Sequence, residues 1–232
     1  MMLAALGFLT TLGPATRPSH RAFAWFPVVG AGLGGVVGIV WWGAGELWPP
    51  LVAAALAVAA DVLLTGGLHA DGLADSADGL LVPASRERRL DIMRDPHAGV
   101  FGMVAVVVIL MLRWSALTAM SPEPILLVGL WAASRSAMAA VPAVVPYARD
   151  EGLATGFLDG TPTLLPALAL VPATVLAVVA RGMAGGVAVL VLVAGLAAVV
   201  ALARRRIGGY TGDVLGAALL VGETAGLVVA AA

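Results

Sequence analysis

Between residues 183 and 203 the chain carries no charged side chain and nothing more polar than glycine. A helix of that length rises about 30 Å, the thickness of a bilayer's hydrocarbon layer. Six further stretches read the same way, about 22–42, 51–68, 98–120, 125–145, 163–180 and 214–230, separated by breaks that hold Pro, Gly or charge. Only 12% of the residues are charged, against about 25% in a soluble domain. The chain is therefore expected to be all-α, a polytopic integral membrane helical bundle of about seven transmembrane helices. It forms one domain over 1–232. Residues 1–12 are apolar but too short to span, and Gly13-Pro14 stops them, so they read as an interfacial or re-entrant piece.

All thirteen basic residues are arginine. With the N-terminus in the cytoplasm, Arg17, Arg21, Arg86, Arg88, Arg89, Arg94, Arg149, Arg204, Arg205 and Arg206 fall on the cytoplasmic side, and only Arg181 falls outside. That bias fits the positive-inside rule. It gathers three polar segments, about 65–97, 146–162 and 204–213, on one cytoplasmic face. The formal net charge of −1 points to no nucleic-acid partner. The absence of cysteine excludes disulfides, thiolate catalysis and cysteine metal sites.

His69-Ala70-Asp71-Gly72-Leu73-Ala74-Asp75-Ser76-Ala77-Asp78-Gly79 concentrates the chemistry. If Asp71 to Asp78 is helical, the acids stand at i, i+4 and i+7, within about 60° of one face. Like charges so close repel, so a cation belongs among them. Hard oxygen ligands favour Mg²⁺ or Mn²⁺, and an ion so held most often meets a phosphate. The alternative is a solvated helix end. His69 is either a structural histidine or a candidate general base.

Downstream, Asp91 and Asp95 precede a glycine pair, Gly99 and Gly102, that opens the third span. Gly208-Gly209-Tyr210-Thr211-Gly212-Asp213 offers backbone N–H groups, a hydroxyl and a carboxylate at a helix start, a geometry suited to phosphate, although the lysine of a P-loop is missing. Asp61, Arg113, Arg135 and Glu223 fall inside spans, where pairing of the arginines with the acids is the plain explanation.

Taken together, these motifs resemble the adenosylcobinamide-GDP ribazoletransferase (cobalamin synthase) family. The resemblance rests on residues 69–79, on Met93-Arg94-Asp95 running to Gly99-Val100-Phe101-Gly102, on Pro146-Tyr147-Ala148-Arg149 with Gly152, and on Gly209 to Ala217 ahead of Glu223. It implies transfer of the cobinamide phosphate of adenosylcobinamide-GDP to α-ribazole or its 5′-phosphate, with release of GMP. It also implies Mg²⁺ dependence, a place in the cytoplasmic (inner) membrane, and the two substrates and the lipid bilayer as partners; assembly as a homo-oligomer stays open. Carried onto this chain, it implies catalytic roles for His69, Asp71, Asp75 and Asp78, with the three aspartates on the metal. Substrate contacts are implied at Arg94, Asp95, Gly99, Gly102, Arg149, Gly209, Tyr210, Thr211, Gly212, Asp213 and Glu223. One departure stands out: the family has a small residue and then arginine after the aspartate, where this chain has Pro96-His97, so no arginine is carried to that position.

Two other readings compete. A CDP-alcohol phosphotransferase also sets aspartates at a membrane helix end, but needs Ala-Arg after the first Asp-Gly, and here Leu73-Ala74-Asp75 follows Asp71-Gly72. A cation transporter could use Asp61, Arg113 and Glu223 as a path, yet no internal repeat is visible.

Overall fold

A computed structural model describes residues 1–13, 20–149 and 163–232. Among them are nine α-helices: α1 Met2–Leu9, α2 Phe26–Gly45, α3 Pro50–Leu64, α4 Leu68–Leu81, α5 Arg86–Ile92, α6 Val100–Ala119, α7 Pro124–Ala140, α8 Leu170–Ile207 and α9 Gly212–Ala230. Short 3-10 turns lie at His20–Trp25, Val141–Ala143 and Leu165–Ala169. The described residues form no strand, only an isolated parallel bridge between Tyr147 and Tyr210.

The protein is a polytopic helical membrane protein. Five helical stretches are long and apolar enough to cross a bilayer: His20–Gly45, Val100–Ala119, Pro124–Ala143, Leu165–Ile207 and Gly212–Ala230. A sixth is reached by joining α3 to α4 across a bend of 86°. Seven, the number expected from sequence, also requires two spans within Leu165–Ile207. The backbone does break there. Arg181 and Gly182 leave helical geometry, and Gly182 sits at φ 58°, a value glycine adopts without strain. The chain folds back so far that Gly185 packs on the carbonyl of Ala177.

The expected span at 51–68 ends early. Gly66 and Gly67, at φ 61° and 72°, terminate α3 after 15 residues. The region expected as a polar loop then forms α4 and α5. We read α4, with its three aspartates, as lying at the polar edge of the bundle and outside the spans.

The spans pack as lipid dictates, with small and polar groups inward and large apolar ones outward. The window of α7 is 83% buried and that of α6 only 22%, so α7 forms the centre and α6 the rim. Gly30, Gly34 and Gly38 bring α2 against α7 so closely that a Cβ on any of them would meet Trp131, Leu127 or Pro124 backbone. Gly222 and Gly226 do the same for α9 against Leu192 and Ala188 of α8.

At mid-bundle, four ionic side chains lock four helices together. Arg113 of α6 reaches Asp61 of α3 at 2.7 Å and Glu223 of α9 at 3.0 Å. Arg135 of α7 pairs with the same Glu223. Ser134 Oγ donates to Glu223 at 2.6 Å, the Trp131 indole N–H donates to Asp61 at 2.9 Å, and the Arg113 guanidinium lies over the Trp131 ring. Two cations meet two anions, so the buried cluster is neutral. The pairing of the arginines with the acids, the plain explanation from sequence, is what the structure shows.

Candidate active site

The site is assembled at the arginine-rich end of the bundle. α4 is helical across Asp71, Asp75 and Asp78 as expected, and it lies along the first turns of α9. Gly72 permits this, because a Cβ there would meet the backbone of Asp213 at 2.8 Å. The three aspartates share a face but not an environment: Asp71 is exposed, Asp75 half-buried and Asp78 buried.

Asp78 has a defined task. One carboxylate oxygen accepts from the N–H of Gly99 at 2.6 Å, the other from Gly102 at 2.9 Å. It thus closes the N-terminus of α6, where free N–H groups and the helix dipole favour an anion. A Cβ on Gly99 or Gly102 would run into that carboxylate. These two glycines, expected to contact substrate, are spaced to admit Asp78. Behind it, the buried Arg89 guanidinium donates to the carbonyls of Gly79, Leu80 and Ala84, capping the C-terminal end of α4.

The other wall is built around α9. Gly208 ends α8 at φ 84°. Gly209 then passes so near the Pro146 carbonyl that no side chain fits. Tyr210 N–H donates to Pro146 O at 3.0 Å and Ala148 N–H to Tyr210 O at 2.8 Å, while the two tyrosine rings of the bridge meet edge to face. Thr211 caps α9, its hydroxyl accepting from Val214 N–H at 3.2 Å and donating to Asp213 at 3.2 Å. Arg149 extends from this bridge to Asp213 at 2.9 Å and to the Met93 carbonyl at 3.2 Å. Its Nε is buried with no partner among the described residues. Arg86, one of the arginines counted above toward the cytoplasmic side, donates to both Ile207 O and Ala148 O at 2.9 Å and ties the segments together.

The carboxylates of this region sit in one another's field. Desolvation, and then the neighbouring carboxylates of Asp213 and Asp71, push the pKa of Asp75 up to about 7, with Arg149 opposing. His69 is buried beside Gly216 of α9; burial, and then Arg135, push its pKa down to about 3, so its imidazole is neutral. His69, Asp71, Arg149, Gly212 and Asp213 border one cavity of about 130 Å³, whose lining also includes Phe8, Leu68, Met138, Tyr147, Leu215 and Gly216. No three His, Asp or Glu side chains among the described residues stand around a single point.

Other expected residues lie elsewhere. Arg94 and Asp95 are exposed in the turn before α6, where Asp95 accepts from the backbone N–H of His97 at 3.0 Å and meets its ring at 2.8 Å. Glu223, fully buried, belongs to the mid-bundle cluster and does not border the cavity. In the loop 146–162, residues 150–162, including Gly152, lie outside the described residues. The apolar cavity lining went unread in the sequence: Phe8, Met138 and Leu215 are apolar residues in an apolar chain, and no pattern marks them.

A bundle of membrane helices that presents carboxylates, a guanidinium donor and a helix N-terminus at one edge suits a membrane enzyme acting on a phosphorylated substrate. The chain belongs to the cobalamin-5-phosphate synthase family, whose pattern it matches over residues 1–231. It is similar to the adenosylcobinamide-GDP ribazoletransferase of Chlorobaculum parvum, 40% identical with 99% of this chain and 94% of the relative covered. It is likewise similar to the protein of that name from Escherichia coli O157:H7, 38% identical with 95% and 94% covered. To that of Bradyrhizobium diazoefficiens it is 43% identical, with 79% and 72% covered. No solved structure matches the chain.

Proposed function

We propose that the protein catalyses the last step of cobalamin biosynthesis: a secondary ribose hydroxyl of α-ribazole, or of its 5′-phosphate, attacks the cobinamide-linked phosphorus of adenosylcobinamide-GDP, the bond from that phosphorus to the GMP oxygen breaks, GMP leaves, and adenosylcobalamin or its 5′-phosphate forms. The observation that carries this reading is the meeting of Asp71 of α4 with Gly212 and Asp213 at the start of α9 and with Arg149 at one cavity, with Asp75 one turn further along α4. That arrangement supplies both signs of charge that a diphosphate and its metal need.

Mg²⁺ fits the donor set. The ligands are hard oxygens, and Asp75, raised first by burial and then by the carboxylates of Asp213 and Asp71, would be favoured in its charged form by a nearby cation. Mg²⁺ is commonly held by one or two carboxylates, with phosphate and water completing the shell, so no three-carboxylate cage is required. Asp71 and Asp75 would hold it. Asp78, with both oxygens engaged by Gly99 and Gly102, supports them by fixing α6 against α4. When bound, the ion supplies charge stabilisation for the diphosphate and the departing GMP. Arg149 offers its unpaired Nε to a phosphate oxygen, and the Gly212 end of α9 offers N–H groups. Of the groups bordering the cavity, the exposed Asp71 carboxylate is the one placed to take the hydroxyl proton; His69, whose burial and Arg135 hold its pKa near 3, is a weak base there.

The arginine distribution supports a cytoplasmic N-terminus and a site on the cytoplasmic face of the inner membrane. Arg181 sits at the opposite end, its guanidinium donating to the last carbonyl of α9, Ala230, so α9 separates the lone arginine from the rest by about 28 Å. Purified protein given adenosylcobinamide-GDP, α-ribazole and Mg²⁺ should release GMP and form cobalamin, detected by mass spectrometry. Asp75→Asn should insert normally and release none. Full turnover in that variant would refute the metal role.

A further inference from the structure

We propose that the apolar lining of the cavity beneath α1 is the seat of the acceptor's benzimidazole base, and that Phe8 is a specificity-determining residue for it. This rests on the reaction proposed above and adds where the nucleoside lies and what selects it.

The cavity lining is chemically mixed: Asp71, Arg149 and Asp213 supply charge, and Phe8, Leu68, Met138 and Leu215 supply apolar surface. Its volume of about 130 Å³ is below the roughly 300–1,000 Å³ of sites that enclose a whole drug-sized ligand. It takes one fragment, and a corrinoid ring is excluded. Two substrate fragments are flat bicyclic rings, the guanine of the donor and the dimethylbenzimidazole of the acceptor. Guanine carries an amide edge whose donors and acceptors would be left unpaired against phenylalanine, leucine and methionine, a costly burial. Dimethylbenzimidazole presents two methyl groups and a ring face, which such a lining suits. With the base there, its ribose is directed toward the charged side chains, where the phosphorus is held.

Phe8 is positioned and not merely nearby. Its ring stacks on Phe26 of α2 at a centroid distance of 5.8 Å and an interplanar angle of 16°. Beyond α1, the Thr11 N–H donates to the Leu64 carbonyl at 2.8 Å, clipping the helix over the turn between α3 and α4. α1 thus acts as a fixed roof that supplies one aromatic face. This gives the apolar segment before Gly13 a function that its length alone did not reveal.

The test uses full-length protein in detergent or proteoliposomes, with Phe8→Ala and the better-packed Phe8→Leu. Acceptors are α-ribazole, the riboside of unsubstituted benzimidazole and that of adenine. Phe8→Ala should raise the KM for α-ribazole about tenfold, as loss of a ring contact does. The KM for adenosylcobinamide-GDP should stay within about twofold. The preference for α-ribazole over the adenine riboside should shrink, with Phe8→Leu in between. A merely structural role would change turnover without reordering the acceptors. Unchanged acceptor KM and preference in both folded variants overturns the proposal. So does a rise in donor KM alone, which would assign the cavity to guanine. Calorimetric titration of wild type and Phe8→Ala with α-ribazole reads the seat without turnover, so it stays testable should wild-type protein release no GMP; equal affinity again overturns it.

Discussion

Glu223→Gln tests whether the mid-bundle cluster is a structural lock or a part of the substrate path. In the native protein Glu223 holds Arg113 with one oxygen and Arg135 and Ser134 with the other, at 0% exposure. The amide removes one of two negative charges and leaves two guanidiniums sharing Asp61 alone, a buried net charge of +1. Breaking a buried pair on one side costs about 3–5 kcal/mol, on the order of 10 °C in melting temperature for a chain of this length. The assay is thermal unfolding of detergent-purified protein with limited proteolysis, beside steady-state kinetics below the transition. The expected result is a large loss of stability with the KM for both substrates nearly unchanged, since Glu223 does not border the cavity. Asp61→Asn should behave alike, because it removes the other negative charge and leaves one acceptor oxygen, with an NH2 beside it, where Arg113 and the Trp131 N–H each had one. A melting temperature within a degree or two of wild type, or a selective rise in substrate KM, refutes the reasoning.

Gly102→Ala would push a methyl into the Asp78 carboxylate and the Ala74 carbonyl; it should destabilise by about 1–3 kcal/mol and lower turnover, read by melting and by GMP release. Arg86→Ala removes hydrogen bonds to Ile207 and Ala148 and should cost about 1.5–3 kcal/mol, while lowering activity by loosening Arg149; wild-type turnover would sever that link. The raised pKa of Asp75 means that the folded, metal-free protein binds more protons than the unfolded chain between the ordinary aspartate range and about 7. Stability from this group is therefore full below pH about 4 and falls as pH rises through about 7. Melting across that window should show this slope, Asp75→Asn should flatten it, and Mg²⁺ should restore stability at the alkaline end.

The fold was legible to the degree that lipid imposes a length. Apolar runs near a bilayer's thickness located α2, α6, α7 and α9, the last three despite one charged residue each, and the arginine at 181 marked the break within α8. The second span was misjudged because hydropathy does not register backbone stops: Gly66-Gly67 ends α3 although apolar residues continue to Leu68. The mid-bundle pairing could be anticipated in kind, since a charge within lipid needs an opposite one, but which arginine meets which acid depends on helix packing that the sequence does not state.

For the site, sequence spacing predicted a shared face for Asp71, Asp75 and Asp78, and the helix delivers it; equal roles do not follow from a shared face. Burial deepens along α4, and the innermost carboxylate meets the N–H groups of Gly99 and Gly102. That long-range pairing gives Asp78 a structural partner that its spacing did not announce. The same logic covers the glycines: the resemblance implied substrate contacts at Gly99, Gly102 and Gly209, and in the structure Asp78 and the Pro146 carbonyl lie close against them. A glycine in a motif reports that something approaches closely. In this chain the approaching group at those three positions is the protein itself, and the open space remaining beside Arg149, Asp71 and Phe8 is where substrate chemistry should be sought.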